Sequence, residues 1–305
     1  MLYDVLIIGG GPAGITSAIY AKRAGRNVAI IEKYVPGGQL NVIGEIENYT
    51  GFKKIVGSAL AYEMYEHAKN LNIPFIMDMA VEYDFSGEEK IVKGRKGEYS
   101  AKAVVLALGC HTRELGIDGE QEFKGRGVSY CALCDGNFFK GKSVAVVGSG
   151  DSAYSDAIYL ASLCEKVYVL TKQKLKLHNY AENELDKYSN ISVLKGAIST
   201  KISGEESVQT LTYLKDEKEE QIEVDGVFVA IGRRPDTENL KGLVDVDEKG
   251  YIFSDAKMQT SKEGVFVCGD VREGNIQQIA TAVGDGAIAG TEASKYVLRQ
   301  IYSKK

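Results

Sequence analysis

The chain has 305 residues, 44% of them hydrophobic and 26% charged, enough for two packed domains of the usual size of about 100–200 residues each. Its formal net charge of −5 is small for that length, which argues against partners such as nucleic acid or a membrane surface. No apolar run approaches the roughly 18 residues that cross a bilayer, and a strand pattern follows Met1 directly without a charged leader, so a cytoplasmic protein is expected.

In chain order, residues 3–8 read as a buried strand that runs into Gly9-Gly10-Gly11-Pro12-Ala13-Gly14. A helix to about Ala24 and a second strand, 28–31, ending in Glu32, complete the unit. The pattern returns at 143–147, Gly148-Ser149-Gly150-Asp151-Ser152-Ala153, a helix to about Leu163, and a strand 167–170 ending in Thr171. Strand-like stretches divided by Gly, Asp, Glu and Lys turns follow each unit. Residues 203–223 read as a β-meander with charged hairpin tips. Buried strands are expected at 227–231 and 265–268, and a helix from about Gln278 to Ile301 closes the chain. The fold class is therefore α/β, with two Rossmann-like, three-layer nucleotide-binding domains carrying β-meanders.

The first unit has every part that dinucleotide binding needs. Gly9-x-Gly11-x-x-Gly14 supplies a tight turn, close backbone approach to a pyrophosphate and close helix-to-strand packing, and the helix N-terminus faces the phosphate charge. Glu32, eighteen residues after Gly14, ends the next strand, where a carboxylate accepts from ribose hydroxyls. The fingerprint does not distinguish NAD from FAD.

Five cysteines, at 110, 131, 134, 164 and 268, contain one close pair, Cys131-Ala132-Leu133-Cys134. Two sulfurs at this spacing form a small, readily reduced ring, which suits one working dithiol rather than a secreted disulfide framework. The alternatives are half a zinc site or two buried apolar cysteines. Zinc would need a second ligand pair, and His67, His111, His178 and the other cysteines offer no paired spacing. Cys110, Cys164 and Cys268 read as compact packing residues, although Cys110 ends the strand-like run 104–109.

Gly37-Gly38-Gln39-Leu40, Glu45-Ile46-Glu47-Asn48-Tyr49, Gly269-Asp270 and Gln277-Gln278-Ile279-Ala280-Thr281-Ala282 resemble the flavin-binding segments of low-molecular-weight thioredoxin reductases. Cys131-Ala132-Leu133-Cys134-Asp135-Gly136 resembles that family's active-site motif, departing at Leu133, where a small polar residue is common. The resemblance covers essentially the whole chain. It implies FAD, with Gly38, Gln39 and Leu40 near the isoalloxazine, Asp270 on the ribityl chain, Gln278, Ile279 and Ala282 near the ring, and the turn at Gly109 close by. It also implies that Cys134 faces the flavin, that Cys131 attacks the disulfide of thioredoxin, and that Asp135 acts as general acid. Without the resemblance, Asp270 and Asp135 would read as turn and capping residues. The family layout makes the second domain an insertion at 114–244 that carries the dithiol. The FAD domain, 1–113 with 245–305, is then discontinuous, with hinges near 113–117 and 243–247. A homodimer and a rotation of the inserted domain are further implications.

The second fingerprint departs from the family. Eighteen residues after Ala153 stands Thr171, so no carboxylate is available for the ribose of NADH. NADPH-dependent members carry a His-Arg-Arg cluster with a further Arg, whereas this chain reads Thr171-Lys172-Gln173-Lys174-Leu175-Lys176-Leu177 and has no arginine between Arg126 and Arg233. Lysine does not make arginine's planar bidentate contacts to phosphate. The acidic pair usual after Ser-Ala reads Tyr154-Ser155-Asp156. These departures resemble the ferredoxin-dependent flavin thioredoxin reductases, which implies reduced ferredoxin as donor and Arg23 with Arg26, Lys53 with Lys54, or Lys172 with Lys174 as docking charges. The alternatives are an NADPH-dependent reductase with an atypical 2′-phosphate site and a non-catalytic flavin redox sensor.

Overall fold

The computed structural model describes residues 2–172, 185 and 187–303, apart from the Asp151 side chain. The chain forms two units, Met1–His111 with Arg234–Lys305, and Thr112–Arg233 inserted between those segments.

In the first unit, strands Phe75–Met77, Val28–Glu32, Leu2–Ile8 and Glu98–Leu106 lie parallel in that order, and Val265–Val267 adds parallel to the far end of Glu98–Leu106. The other end of Glu98–Leu106 turns antiparallel with Lys90–Gly94 and Ala80–Asp84. Alternation along the strands fills both faces. Val5, Ile7, Val28 and Ile30 pack with Ala289, Ala293 and Val297 of the closing helix, while Leu6, Ile8, Ala29 and Ile31 pack with Tyr83, Phe85 and Val92 of the meander. Helix α1 (Pro12–Arg23) begins with proline in its first turn and ends with Lys22 and Arg23, cations that suit the negative end of the helix dipole. Helix α2 (Gly57–Asn70) follows the flavin-type segments.

The inserted unit repeats the plan. Strands Val128–Ser129, Gly226–Val229, Ser143–Val147, Lys166–Thr171 and Ile191–Lys195 form a parallel sheet. Helix α3 (Ala132–Asp135) leads from the first of these, and helix α4 (Asp151–Ala161) packs Ala153, Ala157 and Leu160 on one face of the sheet. The antiparallel strands Ile198–Gly204, Val208–Lys215 and Lys218–Glu223 place Ile202, Leu211 and Tyr213 on the other. The meander expected at 203–223 thus starts five residues earlier. Helix α5 (Ile279–Ser303) closes the first unit.

The second crossing between the units falls at Arg233/Arg234, not near 244/245. Leu240 and Val244, at 0% and 4% exposure, pack in the core of the first unit with Leu6 and Ile252. Burial of two aliphatic side chains, each contributing about 1.5–3 kcal/mol, holds 234–244 there, so the expected hinge residues 243–247 lie within the first unit. Among the described residues, no helix is long and apolar enough to cross a membrane.

Candidate functional site

The glycine turn after Leu2–Ile8 is dictated by sterics. Gly9 has φ +108°, and a Cβ there would lie 2.2 Å from the Ala107 carbonyl oxygen. At Gly14 a Cβ would lie 1.9 Å from the carbonyl oxygen of Gly9, so only glycine lets α1 start this close to the strand. Gly11 is the extended N-cap and Pro12 opens the helix, with Ala13 buried behind it. No side chain caps α1 and no acid sits in its first turn. Its end therefore presents backbone N–H groups and the positive dipole end to an anion, the feature a dinucleotide pyrophosphate requires.

Glu32, 7% exposed, accepts from the amide of Gly10 (2.7 Å) with Oε2 and from that of Tyr34 (2.8 Å) with Oε1. It ties the strand end to the glycine turn, and a carboxylate with about four acceptor positions retains capacity for a ribose hydroxyl.

Gly38 opens the 3-10 turn Gly38–Val42, and a Cβ there would lie 3.1 Å from the α-carbon of Gly11. The Gln39 carboxamide donates to the carbonyl oxygen of Cys110, and buried Leu40 packs with Ile46, Leu60 and Ala61, against which Ile279 rests. Asn48 donates to the Gln278 side chain (3.2 Å). Gly109 has φ +66° with open space beside it. Asp270 follows Gly269 after strand Val265–Val267, its Oδ2 4.0 Å from Cys110 Sγ. Ala282 is buried in the first turns of α5, and a Cβ on Gly269 would lie 2.8 Å from Ala13. Residues far apart in sequence thus meet around the N-terminus of α1, and their uncapped amides, close-approach glycines and flanking acids fit a flavin dinucleotide.

Asp285 was not anticipated as part of this region. Its Oδ2 accepts from the amide of Gly269 (3.2 Å), Arg272 Nε (2.8 Å) and Asn275 Nδ2 (2.7 Å), fixing the turn that carries Asp270. An acid at a buried position of an otherwise apolar helix stripe is the one sequence signal of it.

In the inserted unit, Cys131 and Cys134 are joined by a disulfide with α-carbons 5.3 Å apart. Cys131 is the N-cap of α3, and its Sγ accepts from the amide of Cys134 (3.2 Å). Both cysteines are half-buried, while Leu133 and Phe138 beside them are 47% and 42% exposed. Asp135 Oδ2 accepts from Ser129 Oγ (2.6 Å), and burial raises its carboxyl above the ordinary value, the Ser129 bond opposing that shift. Tyr130 donates to buried Glu120 (2.9 Å), which also accepts the amides of Leu115 and Gly116. Neither Ser129 nor Glu120 stood out in the sequence.

The second fingerprint keeps its shape. A Cβ on Gly148 would lie 2.3 Å from the Ala230 carbonyl oxygen, Ala153 is fully buried, and Gly150 is the extended N-cap of α4. Thr171, 1% exposed, ends Lys166–Thr171, with Lys172 exposed after it. Burial pushes the Asp156 carboxyl up to about 6 against the pull of Arg233. Residues 173–177, with Lys174 and Lys176, lie outside the described residues, as does His178. Of the expected docking charges, Lys54 is engaged by Glu45 (2.5 Å) and Glu47 (3.9 Å), whereas Arg23 is exposed. Cys110, Cys164 and Cys268 are buried and take no part in the disulfide, and burial pushes the Cys164 thiol up to about 11.

The pyridine nucleotide-disulphide oxidoreductase family matches residues 3–286. The thioredoxin reductase of Bacillus subtilis strain 168 is 39% identical over 300 residues, 97% of this chain and 95% of that protein. The crystal structure of thioredoxin reductase from Streptococcus pyogenes superposes with a TM-score of 0.94 at 39% identity, covering 98% of this chain and 99% of that one. The ferredoxin-flavin thioredoxin reductase of Clostridium acetobutylicum superposes with a TM-score of 0.54 at 32% identity, covering 99% of each chain.

Proposed function

Since the chain belongs to the pyridine nucleotide-disulphide oxidoreductase family, as a thioredoxin reductase with FAD as its cofactor, we propose that it reduces thioredoxin through Cys131 and Cys134 with electrons from reduced ferredoxin. When bound, FAD supplies the exchange of two electrons with the dithiol and accepts them singly from a one-electron donor.

In this reading Gly9, Gly11, Pro12, Ala13 and Gly14 hold the pyrophosphate on the uncapped end of α1, and Glu32 takes the ribose. Gly38, Gln39, Leu40, Asn48, Gly109, Gly269, Gln278, Ile279 and Ala282 line the flavin, with Asp270 on its ribityl chain. Their convergence around α1 supports the assignment. Cys134 receives the electrons, Cys131 attacks the partner disulfide, and Asp135 handles the proton. The inserted unit alternates between the flavin and the partner, and the enzyme works as a homodimer. Leu133 and Phe138 give an apolar rim on which a small dithiol protein can seat.

The observation that carries the donor assignment is Thr171, a buried hydroxyl at the strand end where a carboxylate would take the ribose of NADH. The absence of arginine between Arg126 and Arg233 adds to it. A pyridine nucleotide is the competing donor, favoured by the intact turn at Gly148 and Gly150.

The test is anaerobic bleaching of the flavin by excess NADPH and, separately, by chemically reduced ferredoxin, with thioredoxin then added to each. The proposal expects bleaching and thioredoxin turnover with ferredoxin alone. Fast, saturable bleaching by NADPH would replace it with a nucleotide-dependent reductase.

A further inference from the structure

Ser129 lies in the short strand Val128–Ser129, fixed by parallel pairing with Val227 and Phe228, and is 5% exposed. Its hydroxyl has one proton and two lone pairs. The Cys131 amide donates to Oγ at 3.1 Å, which occupies a lone pair. The proton has two acceptors within reach, the Cys131 carbonyl oxygen at 3.4 Å and Asp135 Oδ2 at 2.6 Å. The shorter contact has the oxygen–oxygen length of a hydrogen bond from a hydroxyl to a carboxylate, so the hydroxyl is aimed at Asp135. One buried hydroxyl therefore bridges the backbone of the attacking cysteine and the adjacent acid.

We propose that Ser129 is a positioning residue for proton transfer at the dithiol, orienting the Asp135 carboxyl by donating to it while holding the Cys131 amide. The inference rests on the reading of Asp135 given above. In the balanced sequence, the Cys131 thiol passes its proton to Asp135 and its sulfur attacks the partner disulfide. A Cys131–partner bond forms, the partner S–S bond breaks, and the leaving partner thiolate takes the proton. The Cys134 thiol then repeats the sequence on the mixed disulfide. Enzyme dithiol and partner disulfide have become enzyme disulfide and partner dithiol.

Cys131 and Cys134, joined as a disulfide here and two thiols once reduced, lie in the same turn as Asp135. Helix α4 brings Tyr159 against Gly136, where a Cβ would lie 2.9 Å from its ring, and carries Asp156 nearly one turn earlier. Burial and the Ser129 bond are the causes that set the Asp135 carboxyl, and they oppose each other. Loss of the hydroxyl removes the one that favours the carboxylate.

The experiment follows the pH dependence of thioredoxin reduction in a single turnover of prereduced FAD-loaded enzyme. It compares wild type, Ser129→Ala, Ser129→Thr and Asp135→Asn, with the visible flavin spectrum as the control for folding. Ser129→Ala is expected to shift the ionisation seen in the rate to higher pH, Ser129→Thr to restore it, and Asp135→Asn to abolish it. An unshifted profile in Ser129→Ala, with the ionisation lost in Asp135→Asn, would overturn the role of Ser129 alone. Persistence of the ionisation in Asp135→Asn would overturn the reading of Asp135 on which it stands.

Discussion

Arg272 Nε donates to Asp285 Oδ2 across 2.8 Å, and the same oxygen takes the amide of Gly269 next to Asp270. One ion pair thus anchors the turn that presents Asp270, with Asp285 itself 7% exposed. Arg272→Ala leaves a buried carboxylate short of its cation, a change that costs about 3–5 kcal/mol when a buried pair is broken. The variant should unfold at lower denaturant and release FAD more readily. Urea titration with flavin fluorescence measures both, and unchanged stability would show that the remaining amide donors suffice.

The hairpin between Val208–Lys215 and Lys218–Glu223 turns through Asp216 (φ +48°) and Glu217 (φ +61°), two left-handed residues that carry side chains. Such a two-residue turn favours glycine at its second position. Glu217→Gly should raise stability by about 1 kcal/mol, read as a higher urea midpoint with the same slope.

Asp156 has a pH signature of its own. Its carboxyl stands at about 6 in the fold against an ordinary 3.8. A raised value means the folded state holds the proton more tightly, so the contribution is present in full below about pH 4 and is lost as pH rises to about 6. Relative to wild type, Asp156→Asn should therefore gain stability across that window. Thermal melts of both proteins from pH 4 to 7 measure the difference, and parallel curves would contradict it.

What the sequence made legible was chemistry enforced locally. Gly9 and Gly14 have no steric alternative, so the fingerprint, the strand before it and Glu32 could be read from spacing alone. The cysteine pair was legible for the same reason, since three residues bring two α-carbons to 5.3 Å. The second domain boundary was not. Leu240 and Val244 look like any aliphatic pair until the sheet they cover is formed, and only then do they belong to the first unit. Ser129 and Asp135 bond across the turn that carries the cysteines, a contact that depends on the strand Val128–Ser129 being held by Val227 and Phe228. Asp285 meets Gly269, Arg272 and Asn275 only when α5 docks.

The roles of the two sulfurs bear most directly on the whole account. The measurement is stoichiometric reduction of thioredoxin by chemically prereduced enzyme, wild type beside Cys131→Ser, with flavin reduction followed separately by absorbance. The account predicts that wild type converts thioredoxin disulfide to dithiol. In Cys131→Ser the flavin should still be reduced while thioredoxin stays oxidised. Undiminished reduction of thioredoxin by Cys131→Ser would contradict it, because Cys131 would then not be the sulfur that attacks the partner.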